Sequence, residues 1–133
     1  MTLHPIKPIY VGIDLGTANT IIMDKERVRL QEPSIIAFRS SDTSLVAVGQ
    51  QAMAMHEKTP AFFKTIKPLK DGVIADFSSA QQMLRGFVEK TTLTKNRFGK
   101  KIFLICIPYD TTEVEKRAVH ESAHGAGADE VWL

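Results

Sequence analysis

With 133 residues, 44% apolar and 24% charged, the chain has the make-up of a soluble globular protein and the length for one core, which buries roughly two thirds of its unfolded surface. A net charge of +2 leaves no electrostatic footprint for nucleic acid, and the longest apolar run, residues 102–108, is far too short to span a bilayer. The lone Cys106 excludes an internal disulfide, and the opening eight residues, with Pro5 and Pro8, hold neither a signal-peptide core nor an amphipathic anchoring helix, so a cytoplasmic chain is expected.

The first predicted strand is Ile9-Tyr10-Val11, and it runs directly into Ile13-Asp14-Leu15-Gly16-Thr17-Ala18-Asn19-Thr20. A second apolar strand, Ile21-Ile22-Met23, follows. A carboxylate at a strand end, a glycine turn and several hydroxyl or amide side chains suit a phosphate tail. Gly16 permits close backbone approach, and successive N–H groups of such a turn form an anion-binding concavity. Thr17, Asn19 and Thr20 can add side-chain hydrogen bonds. Asp14 is expected to hold Mg²⁺ through water, because that ion keeps most of its hydration shell and takes few carboxylates. The alternative is a tight hairpin whose Asp-x-Gly-Thr only closes a turn.

Further strands are expected at Val28-Arg29-Leu30, at 35–38 and, after a polar Ser-Ser-Asp-Thr-Ser turn, at 45–48. Residues 50–58 read as a short helix ended by Pro60, and residues 62–76 as irregular, punctuated by Pro68 and Gly72. Asp71 and Asp76 are read as turn formers rather than as paired catalytic carboxylates. Ser78 or Ser79 is expected to cap a helix reaching about Thr92, because Ala80, Met83, Leu84, Phe87 and Val88 recur at three and four. A basic loop, Lys95 to Lys101, precedes the apolar run 102–107, which reads as a strand buried on both faces, with Cys106 as a small core hydrophobe. Thr111 or Thr112 caps a last helix with Glu113 and Glu115 in its first turn, Val114, Ala118 and Ala123 facing inward, and Gly125 and Gly127 at its end. Residues 129–133 begin another strand. Strands first, then strand–helix alternation, predict an α/β domain with a mixed sheet.

Several segments together resemble the N-terminal part of the MreB family of bacterial actin-like, rod-shape-determining ATPases. They are Gly12 to Thr20, Glu32-Pro33-Ser34, Lys58-Thr59-Pro60, Lys67 to Phe77, Met83-Leu84-Arg85 and Thr112 to Val119, in family order. The resemblance implies the N-terminal half of an actin-like (ribonuclease H-like) α/β fold. Residues 8–31 and 78–133 would form an inner subdomain and residues 32–77 an outer one that contacts neighbouring subunits. It further implies ATP and Mg²⁺ as cofactors, with Asp14, Gly16, Thr17, Ala18, Asn19 and Thr20 as the first phosphate loop and Asp14 near the metal and the attacking water. The implied partners are further copies in a filament, the inner membrane surface and cell-shape and wall-synthesis proteins. Two departures stand out. The family's Gly-Val-Pro turn is here Cys106-Ile107-Pro108-Tyr109-Asp110, and the family's catalytic Glu-Pro is expected just beyond Leu133. The chain is thus expected to bind Mg-ATP weakly and not to hydrolyse it. The other reading is a short, non-catalytic interaction module that binds MreB or its partners.

Two local features carry expectations of their own. By resemblance, Phe98 with Arg97, Lys100 and Lys101 forms a membrane-touching loop, the ring entering the interface and the cations meeting anionic lipid. Against this stands a solvated loop whose Phe98 folds back on the core. His120-Glu121-Ser122-Ala123-His124 matches His-Glu-x-x-His, with Gly127 and Glu130 at the further metzincin positions, the spacing of a zinc hydrolase. The acidic helix of the resemblance accounts for the same residues without metal. His4 and His56 are given no role.

Overall fold

Alternating apolar side chains in strand β1 (Ile9–Leu15) send Val11, Ile13 and Leu15 into the core and leave Asp14 on the other face. The computed structural model describes residues 3–58 and 61–133 and carries β1 as the centre of a five-stranded sheet, order β10-β9-β1-β2-β3. β2 (Asn19–Met23) and β3 (Val28–Pro33) follow as antiparallel neighbours, with Ile13 opposite Ile22 and Ile22 opposite Leu30. The β2–β3 turn is organised by Asp24, whose carboxylate accepts from the N–H groups of Glu26 and Arg27 and pairs with Arg29. The two N–H bonds and Arg29 hold its carboxyl well below the usual range, at about 2.

β4 (Ile36–Arg39), β5 (Leu45–Val48) and β6 (Phe63–Ile66) make a second sheet, order β5-β4-β6, beside helix α1 (Gln50–Lys58). Period-two alternation divides its side chains. Ile35, Ala37, Ala47 and Ala52 form a small cluster with α1, and Ile36 and Val48 join the main core. Pro60, expected to end α1, and the Thr59-Pro60 part of the resemblance lie outside the described residues.

The stretch 62–76, expected to be irregular, holds β6 and a hairpin of β7 (Leu69–Lys70) and β8 (Val73–Ile74). Its two-residue loop places Asp71 at φ 51° and Gly72 at φ 80°. Positive φ at both central positions is the geometry that an Asp-Gly pair supplies.

Helix α2 (Phe77–Thr91) begins two or three residues earlier than the serines suggest. Asp76 is its cap, accepting from Ser79 N–H at 3.0 Å. A carboxylate caps as well as a hydroxyl and also suits the positive helix start. α2 lays Ala80, Met83, Leu84, Phe87 and Val88 on one face of the five-stranded sheet. β9 (Lys101–Cys106) lies parallel to β1, and α3 (Glu113–Gly125) carries the chain to the parallel β10 (Glu130–Trp132). Thr112 and Glu115 close a reciprocal capping box at the start of α3. Val119, Ser122 and Ala123 are the buried residues of α3; Val114, expected inside, is 80% exposed on the first turn, one residue into the helix and ahead of the buried stretch that starts at Val119.

The expectation that β9 is buried on both faces is corrected. Ile102, Phe103 and Ile105 are buried, whereas Leu104 and Cys106 are exposed. Both helices cover the same side of the sheet, so the side bearing Tyr10, Asp14, Leu104, Cys106 and Trp132 lies open.

Candidate functional site

Asp14 stands near the end of β1 on the open face, opposite Ile21 of β2 and Cys106 of β9. Its carboxylate is exposed and has no side-chain partner among the described residues. The chain then turns through Gly16, Thr17 and Ala18 into β2, closed by Gly16 N–H donating to Asn19 O at 3.1 Å. A Cβ at Gly16 would stand 2.4 Å from that same Asn19 carbonyl oxygen. Gly16 is not among the residues with positive φ, so the turn requires space at this position rather than an unusual backbone hand.

Thr17, Ala18 and Asn19 form the exposed rim of the turn. The N–H groups of Thr17 and Ala18 meet no acceptor among the described residues. Thr17 Oγ1 accepts from Gly72 N–H at 2.8 Å, which leaves the hydroxyl hydrogen available to donate outward. The turn that follows the Asp14 carboxylate thus keeps two amides and one hydroxyl hydrogen without an acceptor among the described residues, a donor set suited to phosphate oxygens with a hydrated cation next to them.

Thr20 lies beneath the turn, fully buried. Its Oγ1 is 2.9 Å from Ser34 Oγ, and Ser34 Oγ donates to Gly16 O at 2.6 Å. Because Ser34 spends its one hydrogen on that carbonyl, Thr20 is the donor in the hydroxyl pair. Ser34 N–H also donates to Ala18 O at 2.9 Å, so this one residue clamps both ends of the turn. Sequence reasoning did not find Ser34 or Gly72 as parts of the site. Ser34 lay within the quoted Glu32-Pro33-Ser34, and the available signal for Gly72 was the hairpin pair Asp71-Gly72.

Glu32 of the same segment ties three elements together. It accepts from Gln50 N–H at the start of α1 and pairs with Lys90 of α2, each at 3.0 Å. The open face in front of Asp14 forms a groove of about 700 Å³, lined among others by Tyr10, Lys25, Leu104, Cys106 and Trp132. The Lys25 ammonium lies 4.5 Å from the centre of the Tyr10 ring. Cys106, expected to be buried, is an exposed thiol on this face.

The basic loop presents Phe98 outward, 79% exposed, rather than folded onto the core. Of the three cations read with it, only the Arg97 side chain has no hydrogen-bond or ion-pair partner among the described residues. Lys100 pairs with Glu130 at 2.6 Å, and Lys101 donates to Gly99 O. That pairing holds the Lys100 ammonium above its usual range and Glu130 below its own. Glu130 is thereby engaged with Lys100 and with Trp132 Nε1, away from His120 and His124, and no group of three metal-binding side chains occurs among the described residues. Among the remaining histidines, His56 Nδ1 bonds Thr65 Oγ1. No helix of the described residues is long and apolar enough to cross a membrane.

A family model described as MreB/Mbl protein matches residues 9–133. Over 128 residues the chain is 44% identical to the cell shape-determining protein MreB of Escherichia coli strain K12, an overlap covering 92% of this chain and 37% of that protein. It is 43% identical over 124 residues to the cell shape-determining protein Mbl of Bacillus subtilis strain 168, with the same coverage. The chain spans little more than a third of the length of these curated relatives. Among solved structures, MreB5 of Spiroplasma citri bound to ADP superposes with a TM-score of 0.80 at 32% identity, covering 96% of this chain and 38% of that one. The MamK double helical filament gives 0.77 at 18% identity, covering 95% and 41%, a likeness of fold alone.

Proposed function

The chain belongs to the MreB/Mbl protein family, with the actin-like α/β fold, and from that membership we propose that its β1–β2 turn binds the phosphates of ATP. Asp14 would hold Mg²⁺ through water, Thr17, Ala18 and Asn19 would meet phosphate oxygens, and Gly16 and the buried Thr20 would keep the turn in shape. The observation that carries this reading is that, among the described residues, the Thr17 and Ala18 amides and the Thr17 hydroxyl hydrogen meet no acceptor in the turn that follows an Asp14 without a side-chain partner. MreB5 of Spiroplasma citri has been solved with ADP and with AMPPNP, which supports nucleotide as the ligand of this family. The bound ion would neutralise phosphate charge; the chain's own part is positioning and electrostatic complementarity, on which phosphoryl transfer mainly depends.

The wider function assigned is that of an ATP-binding cytoskeletal filament protein that determines rod cell shape by organising wall synthesis at the inner membrane. In that activity residues 8–31 and 78–133 serve as the inner subdomain, and residues 32–77 as the outer one facing the next copy. Family membership supports the cell-shape role. The separate small sheet with its own apolar cluster supports the division. Replacing Asp14 with alanine is expected to weaken binding of Mg²⁺·AMPPNP about tenfold, the loss of one charge-assisted contact worth about 1.5 kcal/mol. Calorimetric titration of the two chains checks this, and equal affinities would remove Asp14 from the site.

For the membrane we propose contact through the loop at Phe98. Its exposed ring supports this, and so does its anchorage. A Cβ at Gly99 would meet the Ile9 side chain at 2.9 Å, so the loop is seated firmly against β1. Among the described residues the Arg97 side chain has no partner and is available to anionic headgroups, while Lys100 would have to exchange Glu130 for lipid. Phe98→Ala is expected to reduce co-sedimentation with anionic vesicles about tenfold, the burial energy of one aromatic ring being about 1.5–3 kcal/mol. Undiminished sedimentation would reject the contact.

A further inference from the structure

We propose that His120 and His124 form a two-histidine site on α3 for one divalent transition-metal ion of the zinc, nickel or copper type. Both side chains are exposed, and residues four apart share one helical face. Their ring centroids lie 4.7 Å apart with the planes at 54°. With one nitrogen of each ring turned to a common ion at about 2.0–2.1 Å, that ion stands about 3.2 Å from each centroid, and the 4.7 Å spacing then fits a nitrogen–metal–nitrogen angle of about 95°. That lies between the square or octahedral value and the tetrahedral one, within reach of all three ions.

The second observation is the orientation of His124. Its Nδ1 is 2.9 Å from Ala128 O. A carbonyl oxygen only accepts, so Nδ1 carries the proton and the lone pair of the neutral ring is on Nε2. A ring whose far nitrogen donates to a backbone carbonyl is the usual arrangement of a metal-ligating histidine, fixing both tautomer and direction. The carbonyl is itself held in place. Gly127, at φ 113°, folds the chain back over the helix end, Gly127 N–H donates to His124 O, and Ala128 N–H donates to Ala123 O, each at 3.1 Å. His120 has no hydrogen-bond partner among the described residues, and either of its nitrogens is available.

Two imidazoles select by nitrogen affinity rather than by charge, so zinc, nickel and copper are favoured over magnesium and calcium, with water in the remaining positions. The site is a binding site and not the hydrolase centre that the motif suggests, because Glu130 is held by Lys100 and Trp132. It is also separate from the phosphate turn: α3 packs through Val119 and Ala123 on the sheet face opposite Asp14.

The test is titration of the untagged 133-residue chain with ZnCl₂ and NiCl₂ by calorimetry, with thermal unfolding in the presence and absence of each ion. One saturable ion per chain and a raised melting temperature are expected. His120→Ala or His124→Ala should each weaken binding at least about tenfold, in the range typical of disturbed metal shells. His4→Ala and His56→Ala should leave it unchanged. Helical content measured by circular dichroism keeps a folding defect apart from loss of a ligand. The proposal is overturned by absence of saturable binding at millimolar ion, or by undiminished binding in the His120→Ala/His124→Ala double variant.

Discussion

Replacing Phe87 with alanine is expected to lower the stability of the chain by about 3–5 kcal/mol, the cost of emptying a well-packed aromatic site. The side chain is fully buried in the middle of α2. It belongs to the core that joins Val11, Ile13 and Ile22 of the large sheet to Ile36 and Val48 of the small one. Collapse around the vacancy is hindered by a rigid neighbour: Gly49, at φ 68°, is packed so closely that a Cβ there would stand 2.7 Å from Phe87 Cε1. A loss of that size is a large part of the roughly 5–15 kcal/mol that holds a typical domain. Urea unfolding followed by circular dichroism gives the number. A loss below about 1 kcal/mol, the size of an ordinary surface change, would mean that the two sheets do not share this core.

The second large effect is expected at Gly16. Gly16→Ala sets a methyl group 2.4 Å from Asn19 O, and the atom it meets is backbone that cannot swing aside. The turn must open, breaking the Gly16 N–H bond to Asn19 O and the pull of Ser34 on Gly16 O. The stability cost is about 1–3 kcal/mol, as for other forced overpacking. The larger consequence is functional: with the rim displaced, the Thr17 and Ala18 amides lose their positions, and Mg-nucleotide binding should be lost while the remainder of the sheet persists. Retained binding in Gly16→Ala would show that the phosphates are held elsewhere.

The residue pattern carried the fold where period decides the outcome. Met83, Leu84, Phe87 and Val88 of α2 lie on the core side as their spacing predicts, and the strand expected at Ile9-Tyr10-Val11 is there, extended to Leu15. It failed where composition resembles one thing and neighbours decide another. An unbroken apolar run made β9 look buried on both faces, yet α2 and α3 cover only one, and nothing in residues 101–106 states which sides will be covered. The hairpin of β7 and β8 is two residues per strand, too short for periodicity to register, although Asp71-Gly72 announced its turn. Of the site, Asp14 and the rim were legible because strand, carboxylate and glycine are contiguous. Ser34 was not, because its part depends on β3 delivering it 18 positions later against Gly16 O. The cap of α2 was misread by two or three residues because serine and aspartate both serve there and only the backbone at Asp76 distinguishes them.

The most direct measurement is a two-dimensional amide NMR titration of the uniformly labelled 133-residue chain with Mg²⁺·ATP, which reads weak binding residue by residue. The largest shifts are expected at Gly16, Thr17, Ala18 and Asn19, with a smaller one at Gly72 through its bond to Thr17. An unchanged turn at millimolar nucleotide, or shifts confined to other elements, would contradict the assignment of this turn as the phosphate-binding site.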